Sequence, residues 1–253
     1  MTGWQLGGFL LCVVVASCTQ AITGFAIALV LLGLTGLFQL APLPDAANVA
    51  TVLSLASAAI ALRSARRLVD WRALRATVSG TVVGVPLGVA LLAWLHANVV
   101  MALRLLLGLV VIACAIVVLV RSKPLAQRSP PASFGAIGVL SGLLGGLFSA
   151  SGPPLVYQFY RQPMDVDTVR DTLVAVLACG SALRLAMVVG SGHFSLHSLE
   201  LSALSVPLAM GITWWMRKRP PPWSREVVLK IVCALLVVTG VGLIGPALSA
   251  LRG

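Results

Sequence analysis

Long apolar runs follow one another along most of the chain, separated by short polar or basic stretches. A helix of about 17 to 25 apolar residues crosses the hydrocarbon of a bilayer. Ala46 to Leu62, Ala73 to Leu95, Val99 to Val120, Thr168 to Val189, Leu196 to Met216 and Val227 to Leu248 meet that length. Four shorter segments remain: Leu6 to Thr19, Phe25 to Leu40, Phe134 to Phe148 and Pro153 to Tyr160. The last is too short to cross alone, so each neighbouring pair reads as a hairpin or a broken helix. The pattern predicts an all-α, polytopic membrane protein with one integral membrane domain. Residues 1–120 and 134–253 form its two repeats, each a broken or re-entrant hairpin plus three transmembrane helices, and 121–133 is a cytoplasmic basic linker.

Within Ser17 to Leu40 and Gly138 to Tyr160, glycine, proline and small polar residues interrupt sequence too apolar for a soluble loop. Lipid cannot satisfy an open backbone, so such breaks survive only inside protein or along a polar cavity. One break in each half is the sequence pointer to a transporter's substrate site near the bilayer midplane.

Composition agrees with this picture. Hydrophobic residues make up 59% of the 253 positions and charged residues 10%, against about a quarter charged in soluble domains. The formal charge of +11 raises nucleic-acid binding, but the basic residues fall in short loops rather than on one polar face, so no nucleic-acid partner is expected. They act as topology signals instead, because short cytoplasmic loops accumulate Lys and Arg. Arg63, Arg66, Arg67, Arg72 and Arg75, then Arg121, Lys123 and Arg128, then Arg217, Lys218, Arg219 and Arg225 mark three cytoplasmic loops. His96 to Asn98 and Gly190 to Ser195 contain no Lys or Arg and place themselves outside, as do both termini. The two halves are thereby expected upside down relative to each other, the arrangement that supplies alternating access.

The cysteines Cys12, Cys18, Cys114, Cys179 and Cys233 lie in apolar runs without metal-ligand spacing and read as small hydrophobes. No metal and no cofactor is expected. Met1 to Gly8 carries no Lys or Arg for a signal-peptide n-region, so the N-terminus reads as mature protein.

The second break runs Gly142-Leu143-Leu144-Gly145-Gly146-Leu147-Phe148-Ser149-Ala150-Ser151-Gly152-Pro153-Pro154. Its prolines stop the incoming helix, and a turn at Ser149 to Gly152 would open a short helix whose N-terminus favours an anion. Because the prolines remove amide donors, Ser149 and Ser151 would contribute hydroxyls. The bland reading of the glycines is a tight helix-packing seam. In the first half the matching residues are Gln20, Thr23 and Gly24, with Gln20 and Thr23 serving as anion donors or as interhelical glue. Arg184, in the outer half of its span, either faces a cavity or snorkels to headgroups. Arg104 and Arg170 read as interfacial anchors or local pairs. Asp171 and Glu200 are the only carboxylates placed within spans, so a coupling proton or cation would ride on them, on His193 or His197, or on the substrate. Faces such as Gly84 and Gly88 permit a homodimer but suit packing within one chain better.

Gln20 to Phe25 (QAITGF), Gly142 to Val156 (GLLGGLFSASGPPLV) and Arg170 to Leu173 (RDTL) resemble the sulfite exporter TauE/SafE family of membrane transporters. The resemblance extends over both halves. It implies movement of a small sulfur-containing or organic anion, such as sulfite or a sulfonate, across a bacterial cytoplasmic (inner) membrane. The chain departs from the family pattern at Ala26, where a glycine is common, and at Ser151, which adds a hydroxyl beside Gly152. The expected partners are therefore a small anionic substrate and the lipid bilayer, with Gln20, Thr23, Gly24, Ser149, Ser151, Gly152 and Arg184 as the substrate-binding set. A small carboxylate is the alternative cargo. An intramembrane serine hydrolase built on Ser151 and His193 is disfavoured, because the two belong to opposite sides and no strand precedes the serine. A structural scaffold is disfavoured by two costly polar interruptions. The chain reads as a transporter, not an enzyme.

Overall fold

Among the described residues the apolar runs become helices, with two interruptions where the sequence places them. The computed structural model describes residues 3–65, 69–94 and 125–219, with single helical residues between 106 and 116 and at 234. Most of Val99 to Val120 and Val227 to Leu248 lies outside the described residues, as do Arg66, Arg67, Arg104, Cys114, Arg121, Lys123, Arg225, Cys233 and the loop His96 to Asn98.

The described helices are α1 (Gly3–Thr23), α2 (Ile27–Leu37), α3 (Leu43–Ala65), α4 (Trp71–Trp94), α5 (Pro131–Phe148), α6 (Gly152–Tyr160), α7 (Val166–Gly190) and α8 (Leu196–Lys218). No strand occurs among the described residues. Six of these helices are long and apolar enough to cross a membrane, namely α1, α3, α4, α5, α7 and α8. The 11 residues of α2 and 9 of α6 are about half a bilayer long at a rise of roughly 1.5 Å per residue. Among the described helices the order long, short, long, long thus occurs twice, in α1 to α4 and in α5 to α8.

The first arm of each broken pair runs further than its apolar core. In α1 the helix absorbs polar residues because their hydroxyls bond back to the preceding turn: Thr19 Oγ1 donates to the Val15 carbonyl at 2.7 Å and Thr23 Oγ1 to the Thr19 carbonyl at 2.8 Å. Pro131 opens α5 in the first turn, where a missing N–H costs no intrahelical bond, so the helix starts within the last residues of the basic linker.

Each break turns on a residue with positive φ. Gly24 has φ +84° and its N–H donates to the Gln20 carbonyl at 2.7 Å. Ser149 has φ 57° and donates to the Gly145 carbonyl at 2.8 Å. Glycine adopts this region freely, whereas a residue with a Cβ pays about 1–2 kcal/mol. Pro153 and Pro154 then start α6.

The glycine seam lies inside the monomer. Gly80, Gly84 and Gly88 on α4 face Gly138, Gly142 and Gly146 on α5, at backbone-to-backbone distance. A Cβ at Gly142 would stand 2.9 Å from the Thr81 oxygen and the Val85 nitrogen. Small residues spaced by four make this closeness available, and dispersion along two bare backbones holds the pair together. Elsewhere α3 packs between α7 and α8, α1 packs on α8 and α2, and α4 also touches α7.

Polar side chains tie the loop ends. Asp70 Oδ1 accepts from the backbone N–H groups of Arg72 and Ala73, both at 3.0 Å, and so caps α4. Its Oδ2 pairs with Arg128 at 2.6 Å, and its own N–H donates to Thr172 Oγ1 at 2.9 Å. Burial works against ionisation of this carboxyl, but the bonds from Ala73, Arg128 and Arg72 outweigh it and hold its pKa below the usual value. Leu125 N–H donates to the Arg161 carbonyl at 2.7 Å. Leu125 and Arg128 thereby tie this segment to the end of α6 and to the start of α4.

Candidate functional site

Helix α3 carries Asp45, Asn48, Thr51 and Ser54 at intervals of three, a polar ridge in which each residue neighbours the next and which winds half-way round the helix from Asp45 to Ser54. On α7, Leu177, Ser181 and Arg184 share one face. Between these stripes the two breaks converge on one cavity of about 20 Å³, lined by Gln20, Gly24, Phe25 and Ala28 from the first, by Ser149 and Ser151 from the second, and by Ser54 and Ser181 among others. That space holds one or two waters.

Gln20 is buried, and its Oε1 has no hydrogen-bond partner among the described residues. An unsatisfied buried polar atom costs about 1–3 kcal/mol. Rotation of this amide would offer either its carbonyl or its NH2 to a ligand. Ser151 presses its Oγ against Gly145, and its carbonyl accepts from Ser141 Oγ at 2.7 Å, which fixes the second break.

Arg184 is buried at 2% exposure, so it does not snorkel. Its Nε donates to the Gly146 carbonyl at 3.2 Å, and one terminal nitrogen donates to Asn48 Oδ1 at 3.2 Å and Thr51 Oγ1 at 2.7 Å. Gly146 lies in the last turn of α5, where a cation complements the helix's exposed carbonyls. Thr51 Oγ1 in turn lies 2.8 Å from Ser149 Oγ. The network continues away from the cavity. Asn48 Nδ2 donates to the His193 carbonyl at 3.3 Å and to Ser198 Oγ at 3.5 Å, and Ser198 and Ser195 hydroxyls donate to Asp45 Oδ1 at 2.7 and 2.6 Å.

Of the residues singled out from sequence, the cavity brings together Gln20, Gly24, Ser149 and Ser151. Three others stand behind its wall. Thr23 spends its hydroxyl proton on the Thr19 carbonyl. Gly152 packs on the first break, where a Cβ would lie 2.7 Å from Phe25 Cδ2. Arg184 reaches the cavity only through Thr51 and Ser149. Asp171 is buried on α7 and Glu200 is exposed on α8, and neither lines the cavity. His193 is exposed with Nδ1 3.0 Å from Ser191 Oγ and does not share the cavity with Ser151. Sequence reasoning missed Asn48, Thr51 and Ser54. The signal that could have found them is their three-residue spacing within an apolar span.

Membrane-length helices interrupted twice, with both interruptions facing one polar cavity, make up the architecture of a membrane transporter. The chain belongs to the sulfite exporter TauE/SafE family, whose pattern matches residues 9–243. It is therefore a multi-pass membrane transporter and not an enzyme. It is 35% identical over 231 residues, 91% of this chain and 90% of the relative, to the probable sulfite/organosulfonate exporter TauE of Cupriavidus necator. It is 27% identical over 182 residues, 70% of this chain and 73% of the relative, to the probable inner membrane transporter protein TsaS of Comamonas testosteroni. No solved structure matches it.

Proposed function

We propose that this protein moves a small sulfur-containing anion, sulfite or a sulfonate, across the bacterial inner membrane by alternating access. The anion would bind between the two breaks, with Gln20, Ser149 and Ser151 donating hydrogen bonds, Gly24 and Gly152 admitting close approach, Thr23 supporting the first break and Arg184 supplying positive potential. The cargo class rests on the name of the Cupriavidus relative, a probable sulfite/organosulfonate exporter, and on the family. The single observation that carries the site is a cavity lined from both breaks, into which Gln20 brings a side-chain amide whose Oε1 has no partner among the described residues.

Alternation in this reading comes from two halves inserted in opposite senses. The repeated order of long, short, long and long helices and the alternating loop charges support it. Both termini then lie on the non-cytoplasmic side. Passage of cargo in this reading requires the breaks to part toward one side of the membrane at a time. Coupling would use Asp171, Glu200 or a proton carried by the cargo.

Counterflow of radiolabelled sulfite and methanesulfonate in proteoliposomes tests the reading. The parent protein should move at least one of them. Gln20→Leu, which keeps the volume and removes the amide, should raise the half-saturation concentration about tenfold, the equivalent of about 1.4 kcal/mol. Absence of counterflow with both anions would refute the cargo, and an unchanged half-saturation in Gln20→Leu would remove the cavity from the pathway.

A further inference from the structure

Thr51 Oγ1 holds three partners at once: the Ala47 carbonyl at 2.8 Å, Arg184 at 2.7 Å and Ser149 Oγ at 2.8 Å. A hydroxyl has one proton and two lone pairs. Arg184 can only donate and the Ala47 carbonyl can only accept. With the Thr51 proton on Ala47, Ser149 must donate its own proton to Thr51, and Ser149 then turns only lone pairs toward the cavity. That orientation repels an anion. If the Thr51 proton instead turns to Ser149, the Ser149 proton becomes free to point into the cavity. The Ala47 carbonyl still keeps its helical N–H from the following turn, so the turn leaves no carbonyl stranded.

We propose that Thr51 is a positioning residue of the anion site: a hydroxyl switch that, on anion entry, turns from the Ala47 carbonyl to Ser149 and so lines up Arg184, Thr51, Ser149 and the anion as one chain of donors. Hydrogen bonds arranged head to tail polarise one another. The buried guanidinium thereby acts on a cargo it does not touch. No bond to hydrogen is exchanged in this step; both protons stay on their own oxygens and rotate. The proposal rests on the anion reading above and adds to it how charge reaches the site.

The test compares Thr51→Val, which keeps the shape and loses the hydroxyl, with Thr51→Ser, which keeps the hydroxyl and loses the methyl. In sulfite and methanesulfonate counterflow, Thr51→Val should raise the half-saturation about tenfold with the maximal rate within about twofold, while Thr51→Ser should stay within about twofold of the parent in both. Equal impairment of the two variants would assign the effect to packing, and an unaltered Thr51→Val would overturn the switch. A second measurement does not depend on transport: melting shifts of Thr51→Val, Ser149→Ala and the double variant in detergent. The double shift should fall short of the sum, because both single changes remove one shared bond. Additive shifts would overturn the proposal even if the parent protein transports. If the parent moves neither anion, the cargo reading fails by itself, and this coupling alone decides whether Thr51 sets Ser149.

Discussion

Replacing Gly142 by alanine tests the idea that two bare backbones position the second break. The added Cβ would meet the Thr81 oxygen and Val85 nitrogen at 2.9 Å and the Gly84 Cα at 3.0 Å, all backbone atoms that no rotamer change can move. Ordinary contact begins near 3.4 Å, so α4 and α5 must part by about half an ångström, a gap that forfeits roughly a quarter of each dispersion well along the seam. With overpacking costs of about 1–3 kcal/mol offset by about 0.5–1 kcal/mol of improved helix propensity, the net loss spans about 0–2.5 kcal/mol and should centre on about 1 kcal/mol. Gly211, in the interior of α8, provides the control, since a Cβ there meets nothing within 4 Å. Gly211→Ala should keep the propensity gain and lose nothing. Reversible unfolding in mixed micelles, followed by helical circular dichroism, would show the two substitutions with opposite signs. Gly142→Ala as stable as Gly211→Ala would refute the seam as a rigid support.

Three further outcomes follow from the same geometry. Asp70 is held below its ordinary pKa, so its contribution is complete above the unfolded carboxyl value near 3.9 and is lost as pH falls through the lower folded value; Asp70→Asn should flatten the acid limb of the thermal-stability profile, and an unaltered limb would contradict the assignment. Ser149→Gly should relieve about 1–2 kcal/mol of backbone strain while forfeiting about 0.5–1.5 kcal/mol for the bond to Thr51. Its melting temperature should therefore stay near the parent's while Ser149→Ala, which keeps the strain and loses the bond, melts lower; the reverse order would refute the strained turn. Ser141 Oγ donates to the Ser151 carbonyl and so braces the second break; Ser141→Ala should therefore speed hydrogen exchange at Ser149 and Ser151 while leaving Phe25 and Ala26 unchanged, and unaltered exchange at the serines would count against that bracing.

Both breaks were legible in the sequence because glycine, proline and small polar residues are anomalous inside apolar helices, and they fall at Gly24 and Ser149 as the pattern suggests. Span positions were legible for the same reason, with α3, α4, α7 and α8 each extending only a few residues past the expected apolar run. Polar residues near a break were harder to place. Ser17, Thr19 and Gln20 look like part of the interruption, yet α1 continues through them to Thr23, since a threonine hydroxyl can satisfy itself on its own helix. The partners of Arg184 were hidden because sequence spacing reports which residues share a helix face, not which face of another helix meets them. Asn48 and Arg184 are 136 positions apart and become neighbours only once α3 packs on α7.

Arg184 supplies the strongest electrostatic argument for an anion. Its three bonded partners among the described residues, the Gly146 carbonyl, Asn48 Oδ1 and Thr51 Oγ1, are all neutral. Asp45 connects to it only at a distance, through Ser198 and Asn48. A buried guanidinium paired directly with a carboxylate would be a closed electrostatic unit with little field left over. One solvated only by neutral oxygens keeps its field, and the desolvation cost of holding it there is already met by folding. An anion in the cavity would sit roughly 6–8 Å away, three hydrogen bonds in series, where attraction at an effective dielectric of about 20 is about 2–3 kcal/mol. That is about a fiftyfold change in affinity, enough to separate a sulfonate from a neutral molecule of the same shape. The neutral hydroxyls and amide around the cavity cannot make that distinction by charge. They instead discriminate among anions by where the oxygens fall.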